Sequence, residues 1–548
     1  MMRASYPSRT AGPATFRTAS RVPFERRLRG RPGRTQTAGT VGVIWSVGMD
    51  WDGDGYDPGD DDITGRALMR STLQAEFGRD KARALMPMTS GRASAELDNI
   101  DRALSPDNAA SPLVGRILPG RPFRIQARLD GTTYTLFDGH GDDYTVQARI
   151  DQRSVDFGAL DAIAKLKDIE ISTQLYAGIR TGTALGYVLD AIGWPDDQRD
   201  LDPGATIIRW WWEEATDAYK AITDLLLSEG PGAVIHADAG GKIVFRDRHH
   251  RLLNAASITP QITFDPDDGV GFEDLKQDVG WADIINVVAL KVEELDPASF
   301  PETVWESPDV RSIAASTTLE ITVTLDDPAT DLDVAFTTLA GTVTGSIVQD
   351  SGQTLTLKLT PGASAAAVSD LVVTGRPVTV ARTYQVTGQD DTSIGRYGKR
   401  NPFDKQGPWA GVRDAEAIAD LVLGARAERL PVVTVTMSTK TDVSSERLVQ
   451  QLGRDLSDRI HVREAETCID YDFYLGQIKH RVSDGGMLLR TEFTMEKAPT
   501  QASDVFRFND SDHGFNDGVF GATGLDDPEN LFIFDQDGHG FDDGVFAT

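Results

Sequence analysis

The sequence has a single cysteine, Cys468, which excludes an intrachain disulfide, and it has no apolar run near the roughly 20 residues that a membrane-spanning helix needs. Basic residues are also scarce: 55 Lys and Arg stand against 84 Asp and Glu, and the net charge is −29. Tight binding to a nucleic-acid backbone needs clustered Lys and Arg, so sequence-specific nucleic-acid binding is not expected. The neighbours of Cys468 indicate a strand, which predicts a buried and inert thiol.

The motifs that mark common enzyme chemistry are absent as well. The sequence has no nucleophile elbow, no phosphate-binding Gly-Lys-Ser/Thr loop and no zinc-protease helix motif. Glu213 and Glu214 are adjacent, so they cannot flank a glycosidic bond as the two carboxylates of a glycosidase do. We therefore predict no catalytic residues, no cofactor and a protein that is not an enzyme.

Length and composition describe a folded chain with several domains. Of the 548 residues, 40% are hydrophobic and 25% are charged, and a chain of this size is expected to divide into about three to five domains. Apolar and polar residues alternate along 123–129 and along 144–150. This period of two predicts strands with one face on a core, and a small antiparallel barrel is the expected product.

The middle of the chain changes to helical periodicity. Residues 159–167 are helix-like, and apolar residues within 185–192 share one helical face. A further helix is predicted for 216–230, capped by its first residue. It leads into a hairpin whose strands are 233–237 and 242–246.

The second half of the chain returns to strand patterns. Residues 319–325 alternate, and the passage around them is interpreted as a small sandwich inserted into the chain. A helix capped at Asp414 follows. A hairpin is predicted over 473–480 and 487–495.

An acidic, glycine-rich loop at 50–62 has the spacing of a calcium-binding loop. The predicted ligands are the carboxylates of Asp50, Asp52 and Asp54, the carbonyl that follows the turn glycine at Tyr56, and the carboxylate of Asp61. Clustered carboxylates repel one another until a cation neutralises them. An Asp replaces the usual bidentate Glu, however, and neither flank has a helical pattern. A structural Ca²⁺ and a solvated acidic loop are therefore the two alternatives.

Several pieces of this sequence, in this order, match a known family pattern. They are the acidic loop, the turn-rich stretch 118–122, the sequence of the predicted hairpin at 232–248 and the beginning of a further β region at 281–287. Together they resemble the tail hub proteins of long-tailed bacteriophages, often called minor tail proteins. Related proteins are the baseplate hubs of contractile tails and the spike hubs of type VI secretion. The resemblance covers roughly residues 42–498, and it implies that 448–462 and the hairpin over 473–480 and 487–495 are the closing strands.

This resemblance implies a multidomain, mainly β fold with some α structure. It comprises two small tube-forming β-barrel domains, a helix-plus-hairpin domain, an inserted β-sandwich-like domain and extended termini. The expected divisions are a basic flexible arm (1–36), a first barrel (37–155), an α+β domain (156–265), a second barrel with its associated α/β region (266–310 and 381–500), the inserted sandwich (311–380) and a C-terminal docking tail (501–548).

The resemblance also implies a structural virion protein at the tail tip. The expected molecule is a homotrimeric hub that adapts a sixfold tail tube to threefold tip or fibre components and encloses the DNA exit channel. Its expected partners are further copies of itself, the distal tail or tail-tube ring, tail fibre, spike or receptor-binding proteins, and the tape measure protein. The strands expected at the interfaces are 123–129, 144–150 and 473–480.

The C-terminal tail contains a tandem repeat, in which 506–520 matches 532–546 without a gap. Its aromatic side chains are predicted to be anchors that dock into a partner: Phe506, Phe508, Phe515, Phe520, Phe532, Phe534, Phe541 and Phe546. Two small hairpins packed on each other are the alternative. At the other end, the arginine-rich arm is expected to lie along an acidic neighbour.

Two other functions remain open from the sequence. Trp210, Trp211 and Trp212 offer aromatic faces to sugar rings. A receptor-binding protein that reads host carbohydrate, through these residues or through the inserted β passage, is therefore the first alternative. Three consecutive residues cannot share one strand face, and packing in a core or interface competes with that role. A tail-associated cell-wall hydrolase is the second alternative, although the sequence marks no catalytic residues for it.

Overall fold

The computed structural model describes residues 42–57, 59–68, 73–79, 90–148, 153–167, 169–267, 269–405, 407–440 and 444–498. Strands dominate these residues and helices are fewer, which confirms the mainly β class with some α structure. The predicted arm (1–36) and docking tail (501–548) lie outside the described residues. No helix of the described part is long and apolar enough to cross a membrane.

The N-terminal region is an antiparallel sheet with one short helix. Its elements are β1 (Ile44–Met49), α1 (Thr64–Leu68), β2 (Leu73–Gly78), β3 (Arg92–Asp98), β4 (Pro122–Leu129), β5 (Thr132–Ala148) and β6 (Arg153–Leu160). The strands pair in the order β1-β4-β5-β6-β3-β2. Along β4, Phe123, Ile125, Ala127 and Leu129 are buried, as their alternation predicts.

The next region combines helices with short strands. Its elements are β7 (Glu170–Ile171), β8 (Tyr176–Arg180), α2 (Thr181–Ala191), β9 (Arg199–Leu201), β10 (Ile207–Trp211), β11 (Thr216–Asp217), α3 (Ala218–Glu229), β12 (Val234–Ala237), β13 (Ile243–Arg246), α4 (His250–Leu253) and α5 (Ala255–Ile258). Asp217 caps α3 by accepting a hydrogen bond from the Lys220 N–H, and Gly230 ends it at φ 96°. The predicted helices and hairpin are confirmed, but the cap is one residue later. The helix-like stretch 159–167 is only a 3₁₀ helix at Ala162–Leu166.

A long β region follows. Its strands are β14 (Thr263–Phe264), β15 (Asp274–Asp278), β16 (Val287–Pro297), β17 (Glu302–Ser307), β18 (Arg311–Ile313), β19 (Leu319–Thr324), β20 (Ala329–Ala340), β21 (Val343–Gln349), β22 (Thr354–Pro361) and β23 (Ala366–Gln389). Strand β23 pairs with β16 along its second half and with β17, β18 and β20 along its first half. Strands β19, β22 and β21 form a second sheet, and residues such as Leu357 and Val373 pack the two sheets together.

The last described region returns to the main sheet. Its elements are α6 (Asp391–Tyr397), α7 (Val412–Arg426), β24 (Val432–Ser438), α8 (Ser445–Gly453), β25 (Arg459–Glu464), β26 (Ile469–Ser483) and β27 (Leu488–Lys497). The helix α8 corrects the interpretation of 448–462 as strands. Ser444 caps this helix by accepting a hydrogen bond from the Arg447 N–H, so its capping chemistry was the missed signal.

The two ends of the described chain share one sheet. Strand β2 pairs antiparallel with β26, which creates a twelve-stranded sheet in the order β1-β4-β5-β6-β3-β2-β26-β27-β24-β15, with β25 on β26 and β14 on β25. The resemblance implies two small barrel domains, whereas the described strands join both halves edge to edge without closing a barrel. The domain boundaries stay a prediction.

Two local expectations differ from the structure. The predicted core face of 144–150 is open at Val146, which is 39% exposed, and at Ala148, while Tyr144 is partly buried and Ile150 lies outside the described residues. The reason is that β5 runs past the end of β4 here and keeps β6 as its partner. Cys468 is exposed in a turn at φ 56°, because β26 begins only at the next residue.

Candidate assembly interface

The pairing of β2 with β26, which we call the joint, connects strands from opposite ends of the described chain. Leu73 lies opposite Val482, and Gly78 lies opposite Gln477. Gly78 has φ 99°, and a Cβ atom there would lie 2.3 Å from the Gly476 carbonyl oxygen. The joint therefore depends on a backbone approach that only glycine allows.

Side chains on both strands reinforce the joint. The Gln477 amide donates a hydrogen bond to the Glu76 carboxylate at 3.0 Å, and the Lys479 ammonium lies 3.4 Å from the same carboxylate. The rings of Phe77 and His480 pack with their centroids 6.4 Å apart. Burial lowers the pKa of His480 to about 4, so this ring is neutral at neutral pH and fits an apolar setting.

A buried charge cluster lies next to the joint. The Glu496 carboxylate on β27 contacts the guanidinium groups of Arg79 at 3.1 Å, Arg251 at 2.7 Å and Arg426 at 3.1 Å. Burial would raise the pKa of Glu496, but the three guanidinium groups outweigh burial and hold that pKa far below its ordinary value. This cluster ties the end of β2, α4, α7 and β27 together around one carboxylate.

The structure brings three of the five predicted calcium ligands together. Carboxylate oxygens of Asp50, Asp54 and Asp61 all lie within 4.8 Å of one another. Asp52 instead forms an ion pair with Arg116 at 3.1 Å. The calcium pattern is therefore only partly assembled in space.

Backbone donors already satisfy the two buried carboxylates of this loop. Asp50 accepts hydrogen bonds from the N–H groups of Gly53 and Gly55 at 2.6 and 3.1 Å. Asp61 likewise accepts from two backbone N–H groups of the loop. The Tyr56 ring packs against a guanidinium group. These contacts hold the loop in shape without a cation, and calcium binding stays a prediction.

A calcium titration tests this prediction. Protonated Asp54 can donate a hydrogen bond to the Asp52 carboxylate, and this bond together with repulsion by the Asp52 charge raises the pKa of Asp54; a cation would relieve that repulsion. At a Ca²⁺ concentration about 100 times the Kd, stability should rise by about 2.7 kcal/mol, with a higher midpoint of thermal unfolding. Asp54→Asn should remove the rise, and Asp60→Asn, an exposed acid outside the cluster, should keep it. An unchanged midpoint in millimolar Ca²⁺ would contradict the metal site.

The consecutive tryptophans at 210–212 do not form a sugar-stacking platform, and the adjacent glutamates at 213–214 do not form a pair of facing carboxylates. Trp211 is fully buried in a core, so Trp210–Trp212 cannot be a single sugar-stacking platform. Glu213 is buried, and this burial raises its pKa to about 7. Glu214 accepts hydrogen bonds from hydroxyl groups at 351 and 354, next to and on β22. Glu213 is thus enclosed in the protein interior, whereas Glu214 bonds to hydroxyl groups near β22.

The C-terminal half of the sheet ends in an open edge. Among the described strands, β15 has β24 as its single partner. A cleft of about 530 Å³ lies beside it, lined by Lys276, Asp278 and Trp281, and the Trp281 side chain is 71% exposed. At the opposite end of the sheet, the Asp61 carbonyl accepts from the Met49 N–H and the Ile63 N–H donates to the Val47 carbonyl, so residues 61–63 cover part of the edge of β1. Within the described residues, the β15 edge of the sheet is therefore unpaired.

Sequence patterns did not mark the residues that hold the joint together. Arg79, Arg251, Arg426 and Glu496 come from four separate segments and share no spacing. The predicted docking aromatics lie outside the described residues and remain predictions: Phe506, Phe508, Phe515, Phe520, Phe532, Phe534, Phe541 and Phe546.

Comparisons with known proteins found no matching family model and no matching curated protein. Solved structures do match. A 43 kDa tail protein of prophage MuSo2 from Shewanella oneidensis has 12% identity and a TM-score of 0.44, and the match covers 84% of this chain and 99% of that one. A tail protein from Neisseria meningitidis has 12% identity, a TM-score of 0.46 and the same coverage.

A third solved structure is a type VI secretion component from E. coli that is itself described as similar to the phage T4 tail proteins gp27 and gp5. It has 9% identity and a TM-score of 0.36, and the match covers 79% of this chain and 74% of that one. These neighbours are phage tail and type VI secretion proteins, the groups that the sequence resemblance names.

Proposed function

We propose that this chain is a structural virion protein that forms a homotrimeric hub at the distal tip of a bacteriophage tail. The observation that supports this most is the joint, where β2 and β26 place the two ends of the described chain side by side in one sheet. Six described strands lie on each side of it. Each subunit thus supplies two sheet halves with equal numbers of strands. Three subunits would supply six sheet halves.

This arrangement suits a symmetry adaptor. Six sheet halves in a ring match a sixfold tail-tube ring on one side, while the three subunits match threefold spike, fibre or receptor-binding proteins on the other. The tape measure protein and the DNA would pass through the centre. A net charge of −29 suits a wall along which DNA slides without adhering, because like charges repel. The role is structural and needs no active site.

The contact between subunits is assigned to the open edge of β15. An exposed edge strand is a ready contact for another chain, and a head-to-tail contact, in which β15 meets a different surface of the next copy, closes a ring when the rotation fits. The largely exposed Trp281 beside the edge supplies an aromatic anchor of the type that dominates protein interfaces.

Native mass spectrometry of the full chain tests this contact. The wild type should be a trimer, and Trp281→Glu should shift it to monomers, because a carboxylate would be buried against the neighbouring copy. The side chain is exposed in one subunit, so the circular dichroism spectrum should not change. Phe300→Glu, at another exposed aromatic, is the matched control and should stay trimeric. A monomeric wild type, or a trimeric Trp281→Glu variant, would contradict the assignment.

A further inference from the structure

A cleft of about 410 Å³ lies where β10, β16, β23 and the loop before α7 meet. Three aromatic residues line it: Trp210, Tyr384 and Trp409. They come from distant parts of the sequence, and the fold brings them to one surface. The volume lies within the usual range for small-molecule sites, about 300–1,000 Å³.

Neighbouring groups hold two of the three aromatic rings, those of Trp409 and Tyr384, in place. Trp409 meets Trp212 edge to face, with centroids 5.4 Å apart, and the Trp212 indole N–H donates to the Gln353 side chain at 3.2 Å. The Tyr384 hydroxyl donates to the Glu294 carboxylate at 3.2 Å. Rings that are fixed before binding lose little entropy when a ligand arrives.

Three of the four charged residues that line the cleft, Arg209, Glu293 and Glu294, are held in ion pairs, and the fourth is Arg413. Arg209 contacts Glu294 at 2.6 Å and Asp296 at 2.5 Å, and Glu293 pairs with Lys291. A strongly charged ligand would have to break these pairs. An uncharged, hydroxyl-rich ligand would not, since the partly exposed carboxylate and guanidinium groups can accept and donate further hydrogen bonds.

We propose that this cleft binds a neutral saccharide. Trp210 and Trp409 would pack on the C–H faces of the sugar ring, and Glu294 and Arg209 would bond its hydroxyl groups. This goes beyond the structural role, and it holds whether or not the chain forms a trimer. The saccharide can come from a cell-surface polysaccharide or from a free oligosaccharide.

The test uses the full chain on an array of neutral and acidic glycans and proline-rich peptides. Hits on polysaccharides and on short free oligosaccharides are then titrated calorimetrically, which separates the two sources. Trp210→Ala should weaken binding at least about tenfold, because it removes a stacking face. Tyr384→Phe should weaken binding by a few fold, because it removes the hydroxyl group that orients Glu294. Tyr471→Ala, at an exposed aromatic on β26, should bind as the wild type does.

Three results would overturn the proposal. The first is the absence of any neutral glycan hit, and the second is a hit that both Trp210→Ala and Tyr384→Phe leave unchanged. The third is binding confined to acidic glycans or to proline-rich peptides. Circular dichroism of each variant separates lost binding from lost folding, and Tyr384→Phe provides a test that removes only one oxygen atom.

Discussion

Glu496→Gln should lower the free energy of unfolding by about 3–5 kcal/mol, because it leaves the guanidinium groups of Arg79, Arg251 and Arg426 close together without their shared carboxylate. Removing one partner from a buried ionic group is far more costly than removing one from an exposed pair. Only 12% of the Glu496 side chain is exposed, so solvent screens the loss little. Urea unfolding at neutral pH, followed by circular dichroism, measures this change.

The matched control is Asp101→Asn, which makes the same carboxylate-to-amide change in the exposed Arg66–Asp101 pair. It should cost no more than about 1 kcal/mol. The cluster would be unimportant for stability if Glu496→Gln cost no more than this control.

The same variant should change the dependence of stability on pH. Because the pKa of Glu496 is depressed in the folded state, its contribution is fully present above the ordinary carboxyl pKa of 4.5 and is lost as the pH falls below that value. The wild type should therefore lose stability between about pH 4.5 and pH 2 more steeply than Glu496→Gln. Parallel curves for the two proteins would mean that the carboxylate is not held in its charged form by the arginines.

Gly78→Val should weaken the joint and, with it, the assembly. A branched side chain at φ 99° is strained, and its Cβ atom would lie 2.3 Å from the Gly476 carbonyl oxygen and 2.9 Å from the Gln477 Cα atom. Strain of this kind costs about 1–3 kcal/mol, and the forced separation of the strands adds to it. Hydrogen exchange of the β2 and β26 amides should accelerate, and the trimer fraction should fall.

Gly186→Ala is the control for this substitution, since a Cβ atom there has no neighbour within 4 Å and lies inside α2. It should leave the joint unchanged and stabilise the protein by up to about 1 kcal/mol. If Gly78→Val preserved slow exchange in β2 and β26, the close approach at the joint would not be needed for the sheet.

The sequence predicts what depends on neighbours in the chain. The alternation of apolar and polar residues predicts the buried face of β4, and the helical period of apolar residues predicts α2 and α3. Both predictions succeed because an element that buries one face repeats its apolar residues with its own structural period. The helix α8 was missed because its signal lies in the Ser444 cap and not in an apolar pattern. Val146 was misassigned because the end of the partner strand β4, which decides its burial, cannot be read from β5.

Long-range features were not predictable in this way. The joint pairs Leu73 with Val482, and no local pattern specifies a partner so far along the chain. The four charges around Glu496 converge only through the fold. The same is true of Trp210 and Trp409, whose shared cleft appears only when β10 meets the loop before α7. The family resemblance predicted two alike modules, but not that one continuous sheet would join them.

Cryo-electron microscopy of the purified full chain tests the central claim most directly. The account predicts a threefold ring in which six sheet halves surround a pore, with β2 on β26 inside each subunit and β15 at each contact between subunits. A monomer, a ring of another order, or a trimer whose main sheets lie away from the axis would contradict it.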